Sequence, residues 1–220
     1  MSANHGSEID HGDHTHPGMD TEELGYHARR VRAMETLLAE KGVLTIEEVQ
    51  RNVDNVESRS PADGARVVAR AWADQGYKAK LLTDPEAALA DLGYQLPDPT
   101  PKLGVVENTT DVHHLVVCTL CSCYPRALLG RPPDWYKSFA YRSRAVIDPR
   151  GVLREFGTEV GDDTEVVVLD STADLRYLVL PQRPAGTDGM SEDELAALVT
   201  RDSMIGVSRA LAPEPVAADD

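Results

Sequence analysis

Two hydrophobic periods divide the chain. From Glu22 onward apolar residues return at helical spacing, with Val31, Met34, Leu37 and Leu38 on one stripe. Gly42 ends this helix, and Thr45 with Glu48 forms a capping-box pair that opens a short second one. A third helix is predicted from Pro61 through ADGARVVARAWADQGYKAKLLTD to the residue before Pro85, and Glu86 to Leu92 adds a last turn or two, stopped by Gly93. Pro97, Pro99 and Pro101 then form a linker. Beyond it the period shortens: LGVVENT and HHLVVCTL read as strands with a turn over Asn108 to Asp111 between them. DWYKSFAYRSRAVIDPRGVLREFG reads as a loop and helix. TEVVVLDS and LRYLVLPQRP are two further strands, separated by Ser171 to Asp174. A C-terminal helix opens at Ser191 as N-cap, with Glu194 at the third position. The pattern predicts an α+β protein: an N-terminal helical arm over residues 21–96, then a layered α/β/β/α sandwich-like domain over 97–210. Arms of this kind wrap partner subunits more often than they stand alone.

Composition adds two tails to this outline. Residues 1–20 form a low-complexity segment carrying His5, His11, His14 and His16, and 211–220 an acidic one; both are expected to be disordered. The histidines of the first offer weak metal affinity, against the plainer reading of a solvated tail. With 37 Asp and Glu against 22 Lys and Arg the net charge is −15, which lacks the basic footprint of a nucleic-acid or membrane-surface binder. No apolar run approaches the ~20 residues of a membrane helix, and the N-terminus has no apolar core of a secretory signal, so the expected compartment is the cytoplasm.

The chemistry lies in three cysteines, Cys118, Cys121 and Cys123, within six residues. An odd, clustered set is no disulfide framework and reads as metal or redox chemistry. Cys118 and Cys121 match one knuckle of a zinc site, but the second pair that a zinc ribbon needs is missing. His113 or His114 offers a fourth ligand, although a strand ending at Val117 carries both away from the loop; its alternation turns one towards the core and one towards solvent. The spacing Cys121-Ser122-Cys123 is the unusual part. A tight loop there converges both sulfurs on one ion and brings the backbone nitrogens of Ser122 and Cys123 within reach. Three sulfurs and two amide nitrogens leave one octahedral position open. Deprotonating an amide calls for a strong Lewis acid, which favours trivalent cobalt or iron over tetrahedral zinc.

The segment VCTLCSCY resembles the metal-binding signature of nitrile hydratase α subunits. The likeness extends through VENTTDVHHLVV, LGRPPDWYK, YRSRAV, LPQRPAGTDG and ELAALVTRDSMIGV, and covers roughly residues 25–210. It implies an enzyme that hydrates a nitrile to an amide, with one Co(3+) per subunit on the sulfurs of Cys118, Cys121 and Cys123 and the amides of Ser122 and Cys123. It further implies Cys121 as sulfinate and Cys123 as sulfenate. Thr119 and Tyr124 match the cobalt class; iron is the alternative metal. Cys123, through its sulfenate oxygen, is the candidate nucleophile, with a metal-bound hydroxide as its competitor, and Ser122 is a candidate for ordering the claw and its water, against the reading of a small residue needed only for the turn. Implied partners are a β subunit, as one or two chains, whose arginines face the oxidised sulfurs, and a metallochaperone-like activator. Arg183 is a candidate to assist them, against an ordinary structural role; Trp72, Trp135 and Tyr136 are read as core or interface aromatics.

Two positions depart from the family. Arg126 and Met190 stand where Trp is common. A cation near the claw, with the His-rich tail, is similar to thiocyanate hydrolase γ subunits, which share the claw; a bulky or polar nitrile is the other reading of Arg126. Non-enzyme alternatives are a cobalt store or carrier and a structural zinc module.

Overall fold

A computed structural model describes residues 25–94 and 101–213. The His-rich tail, the start of the first helix at Glu22, Pro97 and Pro99 of the linker and most of the acidic tail lie outside them. The chain divides into two units, residues 1–54 and 55–220.

The first unit carries α1 (Tyr26–Glu40) and most of α2 (Ile46–Glu57). Gly42, at φ +66°, turns the chain after α1. Thr45 and Glu48 form the expected reciprocal cap, with Glu48 Oε2 accepting from the Thr45 N–H at 2.8 Å and Thr45 Oγ1 from the Glu48 N–H at 3.1 Å. Neither helix buries a residue, and Val31, Met34, Leu37 and Leu38 are all exposed. The apolar stripe is therefore present and has no cover among the described residues.

The second unit holds the core. Its helices are α3 (Pro61–Ala73), α4 (Gln75–Thr83), α5 (Pro85–Asp91), α6 (Arg126–Leu129), α7 (Asp134–Lys137), α8 (Phe139–Ile147), α9 (Pro149–Glu155), α10 (Glu192–Ala197) and α11 (Arg201–Ile205). Its strands are β1 (Lys102–Glu107), β2 (Val112–Val117), β3 (Glu165–Asp170) and β4 (Leu175–Leu180). α3 belongs to this unit and not to the arm, because seven of its residues, Val67, Val68 and Trp72 among them, are buried. Gly64 lets it approach closely: a Cβ there would sit 2.7 Å from Met204 Sδ and 2.8 Å from Leu129 Cδ2.

Three segments that read as single helices are broken by side-chain caps. Asp74 accepts from the Tyr77 N–H and divides α3 from α4. Asp148 caps α9 through Gly151, with Pro149 at its first position, after Ser138 has capped α8 through Tyr141. Thr200 forms its own capping box with Ser203 and separates α11 from α10. In each case a short polar side chain satisfies an amide that a continuing helix would have paired with a carbonyl.

The strands form two parallel pairs, β1 with β4 and β2 with β3, so the turn between β1 and β2 does not make a hairpin. Parallel pairing demands a long crossover. The one from β2 to β3 contains the three cysteines and α6 to α9. The sheets meet through β2 and β4, whose buried Leu115, Val116, Leu178 and Leu180 form the centre of the core with helices around them. No described helix is long and apolar enough to cross a membrane.

Candidate metal centre

The cysteine loop begins where β2 ends. Val117 pairs with Asp170 in the parallel register, so the last residue of β3 lies beside the entry to the loop. Asp170 uses both carboxylate oxygens there: Oδ1 accepts from the Thr119 N–H at 3.0 Å and Oδ2 from Thr119 Oγ1 at 2.6 Å. Arg142, on α8, donates to the Thr119 carbonyl at 3.3 Å. Two buried tyrosines hold the ends of the segment. Tyr141 Oη donates to the Val116 carbonyl and Tyr136 Oη to the Cys123 carbonyl, each at 2.7 Å. Both rings sit in an aromatic cluster with Tyr124, Trp135 and Phe156.

Held this way, the three sulfurs lie within 4.8 Å of one another, the only metal-ligand cluster of its kind among the described residues. Cys118 Sγ is 3.4 Å from Cys121 Sγ, and Cys121 Sγ is 3.2 Å from Cys123 Sγ. A metal–thiolate bond of about 2.3 Å puts two sulfurs about 3.2 Å apart at a right angle and about 3.8 Å apart at the tetrahedral angle. The observed spacings are short enough for the sulfurs to share one ion. The Cys121 backbone N–H also points into the loop and donates to Cys118 Sγ at 3.3 Å. The three sulfurs thus offer a donor set that fits a thiolate-bound metal ion.

The thiols differ in acidity. The Cys123 and Cys118 side chains, with the backbone amides of Ser122 and Cys123, lower Cys121 to about 7, whereas burial pushes Cys123 up to about 12. Arg176 opposes that rise at Cys123 and is a cation this chain itself supplies near the sulfurs. Leu120, 89% exposed, and Phe139, 79% exposed, leave apolar surface on the loop and on α8.

Other candidates lie elsewhere. His113 is buried and bonded to the Gly206 carbonyl, and neither it nor His114 joins the sulfur cluster. Arg183 donates to Thr187 and to the Trp72 carbonyl, a structural role. Trp72 is core, with its indole N–H on the Pro181 carbonyl at 2.8 Å. Tyr136 is core too, but its hydroxyl makes it part of the loop's support. Asp170, Arg142 and Tyr141 were not legible as site residues. The one signal was Asp170 closing the apolar run VVVLD, where a polar side chain leaves the sheet.

An α+β chain that presents three clustered thiols at the end of a parallel strand has the donor set of a thiolate metal-binding protein. The model of the nitrile hydratase α chain matches residues 25–208, and the chain belongs to that family of enzyme subunits. It is 53% identical over 189 residues to the high-molecular-weight cobalt-containing nitrile hydratase α subunit of Rhodococcus rhodochrous, covering 85% of this chain and 93% of that one. It is 40% identical over 218 residues to the thiocyanate hydrolase γ subunit of Thiobacillus thioparus, covering 94% and 90%. Among solved structures, a double mutant of the Fe-type nitrile hydratase from Comamonas testosteroni superposes with a TM-score of 0.78 at 40% identity, covering 90% of this chain and 98% of that one. A thiocyanate hydrolase mutant superposes at 0.80 with 38% identity, covering 90% and 96%.

Proposed function

We propose that this chain is the metal-bearing α subunit of a cobalt nitrile hydratase, which adds water to a nitrile and releases the amide. The observation that carries this reading is the convergence of the Cys118, Cys121 and Cys123 sulfurs in a chain of this family; the amides of Ser122 and Cys123 complete the proposed ligand set. Those groups would hold Co(3+), which when bound supplies Lewis acidity towards the nitrile nitrogen. Cobalt over iron is supported by Thr119, Tyr124 and the cobalt-containing relatives.

The chain's own residues then divide the work. Cys121 as sulfinate and Cys123 as sulfenate place anionic oxygens at the mouth of the loop. The sulfenate oxygen of Cys123 is the nucleophile for the nitrile carbon; a water then attacks the sulfur, its oxygen restores the sulfenate as the old S–O bond breaks, and its protons go to the nitrogen of the departing amide, with Ser122 ordering the loop and that water. Arg176 and the arginines of a β subunit balance the negative charge. The uncovered apolar stripe of α1, together with Leu120 and Phe139, supports such a β partner; an activator would deliver the metal in the cytoplasm.

Arg126 favours one second reading, a thiocyanate hydrolase γ-type subunit, since a cation in place of Trp suits an anionic substrate. Co-expression with the β subunit, then intact mass and metal analysis, tests the first reading: cobalt with three added oxygens is expected. Zinc on unmodified thiols would leave a structural module instead. Turnover of acrylonitrile, a nucleoside nitrile and thiocyanate by the same preparation separates the substrates. Isotope labelling in one turnover tests the nucleophile, which fails if the first amide oxygen comes wholly from solvent.

A further inference from the structure

β2 is tied at its start by a chain of hydrogen bonds whose direction can be deduced. Asn108 Oδ1 accepts from the backbone N–H of His114 at 2.7 Å, and a backbone amide can only donate. That fixes the orientation of the Asn108 amide, so its Nδ2–H₂ faces Nδ1 of His113 at 3.3 Å as a donor. Nδ1 of His113 must therefore be bare, and the proton sits on Nε2, which donates to the Gly206 carbonyl at 2.7 Å. His114 takes the opposite tautomer, because its Nδ1 lies 3.1 Å from Asn108 Oδ1 and must carry hydrogen to bond it.

The two neighbouring histidines therefore respond differently to acid. His114 gains a proton on Nε2 and keeps its bond. A proton on His113 Nδ1 sets two donors against each other. Turning the Asn108 amide over does not help, since its Nδ2 would then oppose both the N–H and Nδ1–H of His114. His113 is 5% exposed, so water cannot replace the lost partner without opening the packing. The groups facing it are Arg209, beyond α11, and His114, both of which disfavour a proton; Glu165 on β3 and the Glu107 carbonyl face His114. Gly206 is pressed against the same strand: it has φ +88°, and a Cβ would overlap the His114 carbonyl oxygen.

We propose that Asn108 and His113 are positioning residues that hold β2, and with it Cys118, in place only while His113 is neutral, so that acid loosens the entry to the claw. The consequence for metal chemistry rests on the function proposed above; the hydrogen-bond chain itself does not. Burial lowers the affinity of His113 for a proton. Its contribution to stability is thus full above the ordinary imidazole value of about 6.5 and is lost as pH falls through the lower folded value.

The test is amide hydrogen exchange of the full chain between pH 7.5 and 5, corrected for intrinsic rates, in wild type and Asn108→Asp. An aspartate accepts from His114 N–H and from protonated His113 alike. The wild-type His114 amide is expected to lose about tenfold in protection as His113 titrates, and N108D to keep its protection within about twofold. Equal behaviour of the two proteins, or wild-type protection that persists through the titration, overturns the proposal. Imidazole ¹⁵N spectra of the wild type are a second reading that needs no variant: the Nε2–H form is expected at His113 and the Nδ1–H form at His114, and the reverse pair overturns it. In the assembled enzyme, N108D is expected to move the acid limb of activity to lower pH. A β2 that behaves as described in a chain without nitrile turnover would refute the function and leave the proton-sensitive tie standing.

Discussion

Tyr136→Phe removes the hydroxyl that ties the claw to the core. The ring is completely buried and packs edge-on against Tyr124 and Trp135, contacts that phenylalanine retains. No large cavity forms, so the loss is the 2.7 Å bond to the Cys123 carbonyl, the contact with the buried Ser171 hydroxyl and the cost of leaving those groups without their partner. Such a loss at a buried site is worth about 1–3 kcal/mol. In a chain of this size each kcal/mol moves the midpoint by roughly 2–4 °C, so a fall centred on about 6 °C is expected. Tyr77→Phe is the matched control. Its hydroxyl is also buried but has no partner among the described residues, and burial pushes its pKa up to about 12; deleting it should leave the midpoint unchanged or slightly raised. Thermal unfolding of both variants in the assembled enzyme, with metal content measured in parallel, checks the pair. Because Tyr136 holds the carbonyl of a sulfur-bearing residue, its variant should also retain less metal, while Y77F should not. Equal midpoints for the two variants, or a Y136F protein with full metal content, would refute the assignment of that hydrogen bond to the claw.

Asp170→Ala removes both acceptors, of the Thr119 N–H and of its hydroxyl; metal content per chain, by elemental analysis, should fall at least about threefold. Gly206→Ala places a Cβ in the His114 carbonyl at a positive φ and should cost upwards of about 3 kcal/mol, read as a collapse in soluble yield and in the urea midpoint. In the metal-free chain, Cys121 should be alkylated first: it is exposed and its pKa is near 7, so its rate rises from pH 6 to 8 and levels above, as the thiolate is the reacting form, while Cys123 stays a thiol throughout. Peptide mapping after iodoacetamide pulses follows both.

How much of this was legible in the chain depended on whether the cause was local. The capping pairs Thr45–Glu48 and Ser191–Glu194 are three residues apart and were read directly. The cysteines declared their chemistry by spacing alone, and VHHLVVC placed them at a strand end. The helix breaks at Asp74 and Thr200 were missed because apolar periodicity runs through both. The parallel pairing was missed because a short turn between two strands does not reveal which strand each will choose. The supports of the claw come from 13 residues away at Tyr136, 23 at Arg142 and 51 at Asp170, so no window around the cysteines contains them. The division of α3 from the arm follows from burial of Val67, Val68 and Trp72, whereas α1 has a comparable stripe that stays exposed. Periodicity identifies an apolar face and leaves open what covers it.

The parallel crossover also sets a timetable for synthesis. Thr119 leaves the ribosome 51 residues ahead of the aspartate that grips it. At about 5–20 residues per second that interval is roughly 3–10 s. Throughout it the three thiols are translated, adjacent and not yet held in shape, open to any soft metal or oxidant that reaches them first. An antiparallel hairpin would have closed the loop almost at once. The topology that gives the finished claw its frame therefore also gives the nascent chain an interval in which its thiols have no such frame.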